Sequence, residues 1–261
     1  MMLGEGENGP CVLVAAHKPY WMPSDKLYVP VQVNAARAGG AIEGYRRDDE
    51  GDNISQKNPR YCELTALWWG WRNLDCEALG LVHYRRHFAG AGERGILTFD
   101  QAETLLAKVP VVVPKARNYV IESVASHYAH THDAAHLDAL RAGVLAVSPE
   151  RLEAYEKTMA SKRVHMFNML LMRREVLDPY CQWLFDVLAV VEEGIDFSGM
   201  IPFEERCVGR LGEFLLDVWL RSEGVPYAEV RMRELESVNW LRKGTSFLAA
   251  KFLGKRYRKS F

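Results

Sequence analysis

The sequence contains no long hydrophobic run and no excess of charge of either sign. No stretch of about 18 consecutive apolar residues occurs, so no membrane-spanning helix is predicted. Lys plus Arg total 33 and Asp plus Glu total 34, which gives a formal net charge of −1 and does not indicate a nucleic-acid binder. Residues 1–10 are polar and glycine-rich without an apolar core, so we predict a flexible lead and no signal peptide.

Cysteine is scarce, and several well-known catalytic motifs are missing. Five cysteines without a C-x-x-C pair are typical of reduced thiols in a cytosolic protein and do not indicate a disulfide framework. The glycine-rich nucleotide motifs of kinases and dehydrogenases are absent, as is the G-x-S-x-G turn of α/β-hydrolases. The 261 residues are enough for one large α/β domain, or for one domain with an appendage.

What the sequence does contain is one stretch, Asp48 to Phe88, that is rich in turn-forming, aromatic and basic residues. Its turn formers lie between Gly51 and Ser55. Asn58 followed by Pro59 predicts the N-cap and first residue of a helix. Apolar residues then recur at intervals of three and four, which predicts one buried stripe on this helix, formed by Leu64, Leu67, Trp68 and Trp71.

A short apolar run, Gly80-Leu81-Val82, ends at His83 and predicts a buried strand. In open α/β sheets, ligands bind outside the carboxyl ends of the strands, which would place His83, Arg85 and Arg86 in a cleft. Two adjacent guanidinium groups can pair bidentately with phosphate oxygens. The alternative is that these arginines pair with buried carboxylates, and the residues alone leave both interpretations open.

The order of short motifs along the chain resembles a bacterial family of capsular and exopolysaccharide glycosyltransferases that was long catalogued only as a domain of unknown function. The most specific block comprises Asp52-Asn53-Ile54-Ser55 with Lys57-Asn58, Tyr61-Cys62-Glu63-Leu64-Thr65, and the run from Gly80 to Arg86. Weaker matches are Ala16-His17-Lys18-Pro19, Tyr28-Val29-Pro30-Val31 and Met166-Phe167-Asn168-Met169. The resemblance extends from about Val12 to about Leu220.

This resemblance implies a GT-A-like fold, with a mostly parallel sheet flanked by helices, and a nucleotide-sugar-dependent transferase. Some members are linked to galactose or galactofuranose transfer, so we expect a UDP-sugar donor and a growing, lipid-linked glycan acceptor in capsule, exopolysaccharide or lipopolysaccharide assembly. Two other classes stay open on the residues alone. One is a non-catalytic nucleotide-sugar-binding module, and the other is a metal-dependent hydrolase.

The candidate site residues follow from the resemblance together with the chemistry of the side chains. The candidate catalytic residues are His83, Arg85, Arg86 and Glu213, with Glu204 and Glu205 as further candidates for a general base. The candidate donor-binding residues are His17, Lys18, Asp52, Asn53, Lys57, Asn58, Glu63, His132, Asn168 and Arg206. We expect Asp52 and Asn53 near the ribose or sugar hydroxyls, and Glu63 to orient Arg85 or Lys57.

The sequence lacks the usual means of holding a departing diphosphate. Most GT-A enzymes use a divalent cation bound by an Asp-x-Asp at a strand end, and this chain has none in that context. We expect Arg85 and Arg86, with His83 and Lys57, to take the place of the cation, so that transfer needs no metal. The alternative is manganese or magnesium bound by Asp48, Asp49 or Asp52.

Four histidines fall within a predicted helical region from Glu122 to Ala146: His127, His130, His132 and His136. His132 and His136 have the spacing that zinc proteases use, but the glutamate of H-E-x-x-H is missing. The resemblance favours Tyr128 and His132 as cleft residues. The other three histidines are expected to be solvated.

The remaining patterns predict the other strands and helices of an α/β domain over residues 11–236. Strands are predicted at Cys11 to Ala16, Leu27 to Val33, Val109 to Val113 and His165 to Met172, the last interrupted by Asn168. N-caps are predicted at Asp100, paired with Glu103 in a capping box, and at Ser148 and Asp178. A glycine-rich loop from Gly194 to Pro202 is a candidate gate to the cleft.

Residues 237–261 are predicted to form a basic amphipathic segment. After Glu236 no acid occurs, whereas seven lysines or arginines alternate with apolar and aromatic residues. Such a segment can lie on an anionic membrane surface, where each cationic residue contributes about 1 kcal/mol. We therefore expect residues 240–261 to bind the inner face of the cell membrane and to make this cytoplasmic protein peripheral; the alternative is a solvated terminal helix.

Overall fold

The computed structural model describes residues 9–236, and its centre is a sheet covered on both faces. The strands of the described part are β1 (Pro10–Ala16), β2 (Tyr28–Gln32), β3 (Arg46–Arg47), β4 (Ala78–His83), β5 (Arg86–Phe88), β6 (Val111–Pro114), β7 (Arg117–Asn118), β8 (Arg163–Val164), β9 (Leu170–Arg173), β10 (Tyr227–Val230) and β11 (Met232–Glu234). The predicted strands near residues 11, 28, 80 and 111 are all present.

The main sheet has the strand order β10-β6-β9-β4-β1-β2-β3. β1 pairs in parallel with β2 and β4, β2 with β3, and β6 with β10, while β9 runs antiparallel between β4 and β6. β5 and β11 pair antiparallel with each other, and β5 joins β4 at a tight turn. The expectation of a mostly parallel sheet is confirmed.

Helices cover the sheet because its central strands are apolar on both faces. In the described part they are α1 (Asn58–Tyr61), α2 (Leu64–Asn73), α3 (Phe99–Leu106), α4 (Val124–Thr131), α5 (Ala135–Val147), α6 (Leu152–Ala160), α7 (Arg174–Glu193), α8 (Pro202–Glu205) and α9 (Cys207–Glu223). Alternate residues of β1 enter two different hydrophobic cores: Leu13 joins the core under α2, α7 and α9, whereas Val12 joins the core beside α3.

The helix expected to begin at Asn58 is broken at Cys62. Cys62 has a φ of 54°, so α1 ends there and α2 begins at Leu64. Asn58 is not the N-cap; its side-chain amide spans the break, donating to the carbonyl of Cys62 at 2.7 Å and to the hydroxyl of Thr65 at 2.9 Å. The break places Glu63 at the start of α2, where a carboxylate is favoured by the helix dipole.

Two other helix starts differ from the sequence expectation. α3 is capped by Thr98 in a reciprocal capping box with Gln101, not by Asp100 with Glu103. α7 begins at Arg174, so Asp178 is not its N-cap and the following proline lies inside the helix. The reason is that the guanidinium group of Arg174 donates to carbonyls at the end of α2 and beyond, which fixes the first turn upstream of the proline.

Ser148 is the N-cap residue, with Pro149 next to it in the first turn, as predicted. Ser148 precedes a 3-10 turn, Pro149–Arg151, and makes no side-chain cap bond to it. Its hydroxyl instead accepts a hydrogen bond from the indole of Trp183 at 2.7 Å. The serine therefore ties this turn to α7.

Within residues 9–236, no helix combines the length and the apolar character needed to cross a bilayer. The amphipathic segment expected at residues 237–261 lies outside the described residues, as do residues 1–8 of the expected lead. The membrane-binding role of residues 240–261 stays a prediction.

Candidate functional site

Most candidate residues meet at the carboxyl edge of the parallel strands. His17 follows β1, and His83 is the last residue of β4. Because β9 is antiparallel to β4, the residues that precede β9, Phe167 and Asn168, reach the same edge. The sheet thus brings together motifs that are more than 80 residues apart in sequence, as the contact between His83 and Phe167 shows.

The backbone at this edge is strained at two consecutive residues. Phe167 has a φ of 73° and Asn168 a φ of 52°, in the left-handed region that non-glycine residues rarely adopt. This turn shortens the predicted strand at its start, since β9 begins only at Leu170. Such conformations cost about 1–3 kcal/mol each and persist where surrounding contacts determine them.

Those contacts come from four residues. Glu213 accepts a hydrogen bond from the backbone N–H of Phe167 at 2.9 Å, and the carbonyl of Phe167 lies 2.8 Å from Nε2 of His83. The side-chain amide of Asn168 donates to Oε1 of Glu63 at 2.7 Å and to the carbonyl of Gly209. Glu63 and Glu213 therefore hold two successive residues of one turn.

The surroundings shift the pKa values of Glu213 and His83 in opposite directions. The pKa of Glu213 is raised to about 7, first by burial and then by the charge of Glu63, against the opposing effects of the Phe167 N–H and two arginines. Burial lowers the pKa of His83, although Glu63 opposes that shift from 3.6 Å. A neutral His83 can donate from Nε2 to the Phe167 carbonyl, and Glu213 can exchange a proton near neutral pH.

Arg85 and Arg86 stand beside this turn, each with one long contact to an acid at the end of β11 or just after it. Nε of Arg86 lies 3.4 Å from Glu234, and its guanidinium group lies over the ring of Phe167 at 4.4 Å. Nη1 of Arg85 lies 3.4 Å from Glu236, and its side chain is 35% exposed. The Arg85–Glu236 pair is therefore open to solvent, whereas the Arg86–Glu234 pair is mostly buried, with side chains 13% and 19% exposed.

Helix α9 adds further arginines from one stripe. Arg206 and Arg210 precede Glu213 by seven and three residues, so all three face the turn. Nε of Arg206 lies 3.2 Å from Sγ of Cys62. The glycine at position 209 permits this approach, since a Cβ there would lie 2.9 Å from the carbonyl oxygen of Tyr61.

The outer side of the edge is aromatic and cationic. The ring of Tyr84 contacts the ring of His17 at 5.4 Å, and the charges of Lys18 and Arg85 lie 5.7 Å and 5.2 Å from its centroid. The pKa of His17 is lowered, first by burial and then by Lys18, Arg85 and Arg206. These groups form a positively charged rim that suits an anionic ligand.

A cavity of about 130 Å³ has Arg210 in its wall. Its lining residues are Thr131, His132, Asp133, His136, Met200, Phe203, Glu204 and Arg210. The pKa of His132 is lowered to about 3, first by burial and then by the charge of Arg210, so this imidazole is neutral at physiological pH. Of the two predicted cleft residues, His132 lines the cavity, whereas Tyr128 is buried and packs against it with the two rings 4.8 Å apart.

The expectation that His127, His130 and His136 are solvated holds only for His130, whose side chain is 43% exposed. His136 is buried, and its Nδ1 lies 3.0 Å from the hydroxyl of Tyr128. His127 and His130 both contact the buried carboxylate of Glu122, at 3.1 Å and 2.9 Å. The two imidazoles thus provide hydrogen-bond partners for a buried acid.

Several predicted donor-binding residues are paired within the fold, with other side chains or with backbone carbonyls. The carboxylate of Asp52 accepts from Arg72 and Trp68, and the amide of Asn53 donates to carbonyls of its own loop. Nζ of Lys57 lies 2.8 Å from Glu192 on α7. Because Lys57 pairs with Glu192 and Arg85 with Glu236, while Glu63 accepts from Asn168, Glu63 orients neither of these two cations. The donor-binding roles of Asp52, Asn53, Lys57 and Asn58 stay predictions.

The three acids considered as metal ligands are already used. Asp48 is fully buried, and its two oxygens accept hydrogen bonds from the backbone N–H groups of residues 34 and 35 and from the hydroxyls of Ser55 and Thr65. Asp49 pairs with Arg47 at 2.7 Å. In the described part of the chain, no three His, Cys, Asp or Glu side chains are grouped as metal ligands. These acids are engaged within the fold, and transfer without a metal stays a prediction.

Asp48→Asn is expected to lower the free energy of unfolding by about 2–3 kcal/mol, because it weakens several hydrogen bonds to a buried charge. The measurement is urea unfolding at pH 7. Glu50→Gln is the matched control: Glu50 pairs with Arg46 at the surface, and the change should cost less than about 1 kcal/mol. Equal losses in the two variants would contradict the central position of Asp48 in this loop.

Arg210 and Phe167 were not predicted as site residues from the sequence. The signal for Arg210 is its position on the α9 stripe between Arg206 and Glu213, which a helical projection of the sequence displays. The left-handed turn at Phe167 has no such signal, because it is imposed by residues from β4, α2 and α9.

The comparisons with known proteins agree with this architecture. Residues 11–224 match a family described as a domain of unknown function, DUF4422. Among solved structures, the apo structure of the bifunctional glycosyltransferase WbbM is similar, with a TM-score of 0.80 and 24% sequence identity over 88% of this chain and 46% of WbbM. The chain thus spans about half of the WbbM chain, and the likeness confirms the GT-A-like fold. The comparison with curated proteins finds no match.

Proposed function

Because the chain belongs to the DUF4422 family and shares its fold with part of a bifunctional glycosyltransferase, we propose that it is a glycosyltransferase. The observation that carries the proposal is the carboxyl-edge cluster, in which a turn held by two glutamates lies among arginines. The donor is proposed to be a UDP-linked sugar of the galactose or galactofuranose class. The acceptor is proposed to be a growing glycan, carried on a lipid, of a capsular, extracellular or lipopolysaccharide polymer.

Arg85 and Arg86 are proposed to receive the departing diphosphate. Transfer of the sugar leaves negative charge on the phosphate oxygens, and fixed guanidinium groups can stabilise that charge without reorganisation. Each guanidinium group carries five N–H donors, and the 3.4 Å contacts to Glu234 and Glu236 use only part of them. Arg206 adds positive charge from α9 to the same rim.

Glu213 is proposed to be the general base that takes the proton from the acceptor hydroxyl. A carboxylate with a pKa of about 7 is half ionised at neutral pH and is a stronger base than an exposed one. The hydrogen bond that Glu213 accepts from the Phe167 N–H fixes its position. His83 and Glu63 act by holding the turn, and are positioning residues in this scheme.

The cavity beside Arg210 is proposed to receive part of the donor. Its wall offers the neutral imidazole of His132, the ring of Phe203 and the guanidinium group of Arg210. An aromatic face next to hydrogen-bonding groups is suited to a sugar ring, since apolar C–H faces and hydroxyls are both satisfied. The loop before α8, residues 194–201, lies at this cavity through Met200.

A thermal-shift panel of UDP, GDP, CMP and their sugars tests the donor. Ligand at about 100 times its dissociation constant stabilises the native state by about 2.7 kcal/mol, which corresponds to a rise in melting temperature of about 5–10 °C for a chain of this size. We expect UDP and UDP-galactose to give this shift and the other nucleotides to give little.

The panel is repeated with Arg85→Ala/Arg86→Ala, in which the UDP response should disappear. A clear response to another nucleotide would replace the donor, and no response to any of them would contradict nucleotide-sugar binding. Binding of UDP-sugar without transfer or hydrolysis would instead identify a non-catalytic binding module.

A further inference from the structure

A surface outside the catalytic cluster presents apolar side chains to solvent. After β6 the chain forms β7, turns at residues 119–121, and later returns as β8, which pairs antiparallel with β7. We call residues 115–121 with 162–163 the β7–β8 tip. Val120 and Ile121 at its end are each 66% exposed, the largest exposure of any large hydrophobic side chain in the described part of the chain.

The exposure of Val120 is imposed by the backbone. Val120 has a φ of 61°, a conformation that β-branched residues adopt only under strain. The N–H of Ile121 donates to the carbonyl of Tyr119 at 2.7 Å, which closes a tight three-residue turn, and Asn118 accepts from the N–H of Val120 at 2.9 Å. Two apolar side chains are thereby held outward at an energetic cost that packing within the chain does not explain.

The charge around the tip is positive. Four exposed cationic residues flank Val120 and Ile121: Lys115, Arg117, Lys162 and Arg163. The nearby acids are engaged within the fold, since Glu122 is buried against His127 and His130, and Glu229 contacts His165 and the N–H of residue 116. An apolar pair surrounded by basic side chains complements an anionic lipid surface, where apolar side chains enter the acyl boundary and cations meet phosphates.

The tip lies on the same edge of the sheet as the candidate site. It follows the carboxyl end of β6, and the hydroxyl of Tyr119 lies 3.5 Å from the sulfur of Met166, the residue before the strained turn at Phe167. The ring of Tyr119 also stacks on that of His127 at 3.9 Å, which ties the tip to α4. A membrane that contacts the tip would therefore lie beside the mouth of the site.

We propose that the β7–β8 tip docks on an anionic phospholipid surface, with Val120 and Ile121 inserted at the level of the headgroups and Lys115, Arg117, Lys162 and Arg163 on the phosphates. This surface is distinct from residues 240–261 and needs no contribution from them. The proposal goes beyond the transfer activity and does not depend on it, because it concerns binding alone.

The test is partition of the full chain onto vesicles, measured by sedimentation over a range of lipid concentrations. Vesicles of phosphatidylcholine with phosphatidylglycerol are compared with phosphatidylcholine alone. Val120→Asn/Ile121→Asn should weaken partition onto the anionic vesicles about tenfold or more, since two apolar side chains no longer leave water. Asparagine tolerates the left-handed backbone better than valine, so these variants should keep or raise the melting temperature. Lys162→Gln should weaken partition about fivefold.

Matched controls lie away from the tip. Leu145→Asn removes an exposed leucine of α5, and Lys108→Gln removes an exposed lysine from the opposite edge of the sheet, before β6; neither should change partition. Wild-type partition by the Val120→Asn/Ile121→Asn chain, or equal binding of the wild type to neutral and anionic vesicles, would overturn the proposal. So would loss of self-association in that variant with partition unchanged, because the tip would then contact a second copy of the chain.

Discussion

Glu213→Gln is expected to lower kcat for sugar transfer about 100-fold to 10,000-fold, the range over which a general base contributes. Glutamine retains an oxygen that can accept the hydrogen bond from the Phe167 N–H, so the turn should persist while the base is lost. The measurement is the initial rate of transfer from UDP-sugar to a glycan acceptor, at saturating donor. Glu103→Gln, an exposed glutamate of α3, is the control and should leave kcat unchanged.

The pH dependence gives a second readout of the same residue. Since the pKa of Glu213 is about 7 and the base must be ionised, wild-type kcat should rise with pH through about 7 and level off above it. The residual activity of Glu213→Gln should lack this rise. A wild-type kcat that stays constant between about pH 5.5 and 8.5 would assign the proton transfer to another group.

Stability should change in the opposite direction. The folded pKa of about 7 lies above the unfolded value of about 4.3, so the native state binds the proton more tightly than the unfolded state. The associated stabilisation is present below about pH 4 and is lost as pH rises through 7. Glu213→Gln cannot ionise, and its melting temperature should therefore exceed that of the wild type at pH 8.

Arg85→Ala is expected to lower transfer about 100-fold or more, while the wild-type activity survives EDTA. The size is that of losing one preorganised group that stabilises developing negative charge. Arg86→Ala should have a similar effect, because its guanidinium group lies over Phe167 within the turn. Rates are measured on protein treated with EDTA and passed through a desalting column.

Arg141→Ala provides the control for removing a guanidinium group. Arg141 pairs with Glu156 on the surface, with both side chains about half exposed, and its loss should leave the rate unchanged. Inhibition of the wild type by EDTA with recovery on adding manganese would contradict the arginine scheme. The same would be true of an Arg85→Ala/Arg86→Ala chain that keeps its rate.

Periodicity and strand-end rules predicted the parts of the fold that depend on local sequence. The apolar run before His83 became β4, and Leu64 and Leu67 of the predicted stripe are buried on α2. The rule that ligands bind at the carboxyl ends of strands selected the edge where His83 lies. These features need only the hydrophobic pattern and the direction of one strand.

Features that depend on distant contacts were not predictable in this way. The break at Cys62 is stabilised by the side chain of Asn58, which sequence analysis assigned to an N-cap. The turn at Phe167 depends on Glu213, which follows it by 46 residues in sequence. Lys57 carries a motif position yet pairs with Glu192 on α7, 135 residues away. Local chemistry permits several partners in each case, and tertiary packing selects one.

The most direct measurement is a calorimetric titration of UDP and of uridine in the presence of EDTA. Uridine lacks the phosphates that the guanidinium groups of Arg85 and Arg86 are proposed to hold. We expect UDP to bind about 100-fold more tightly than uridine, since two or more charge-assisted hydrogen bonds contribute about 1.5–3 kcal/mol each, and we expect this difference to vanish in Arg85→Ala/Arg86→Ala. Equal affinities for UDP and uridine in the wild type would contradict the central claim.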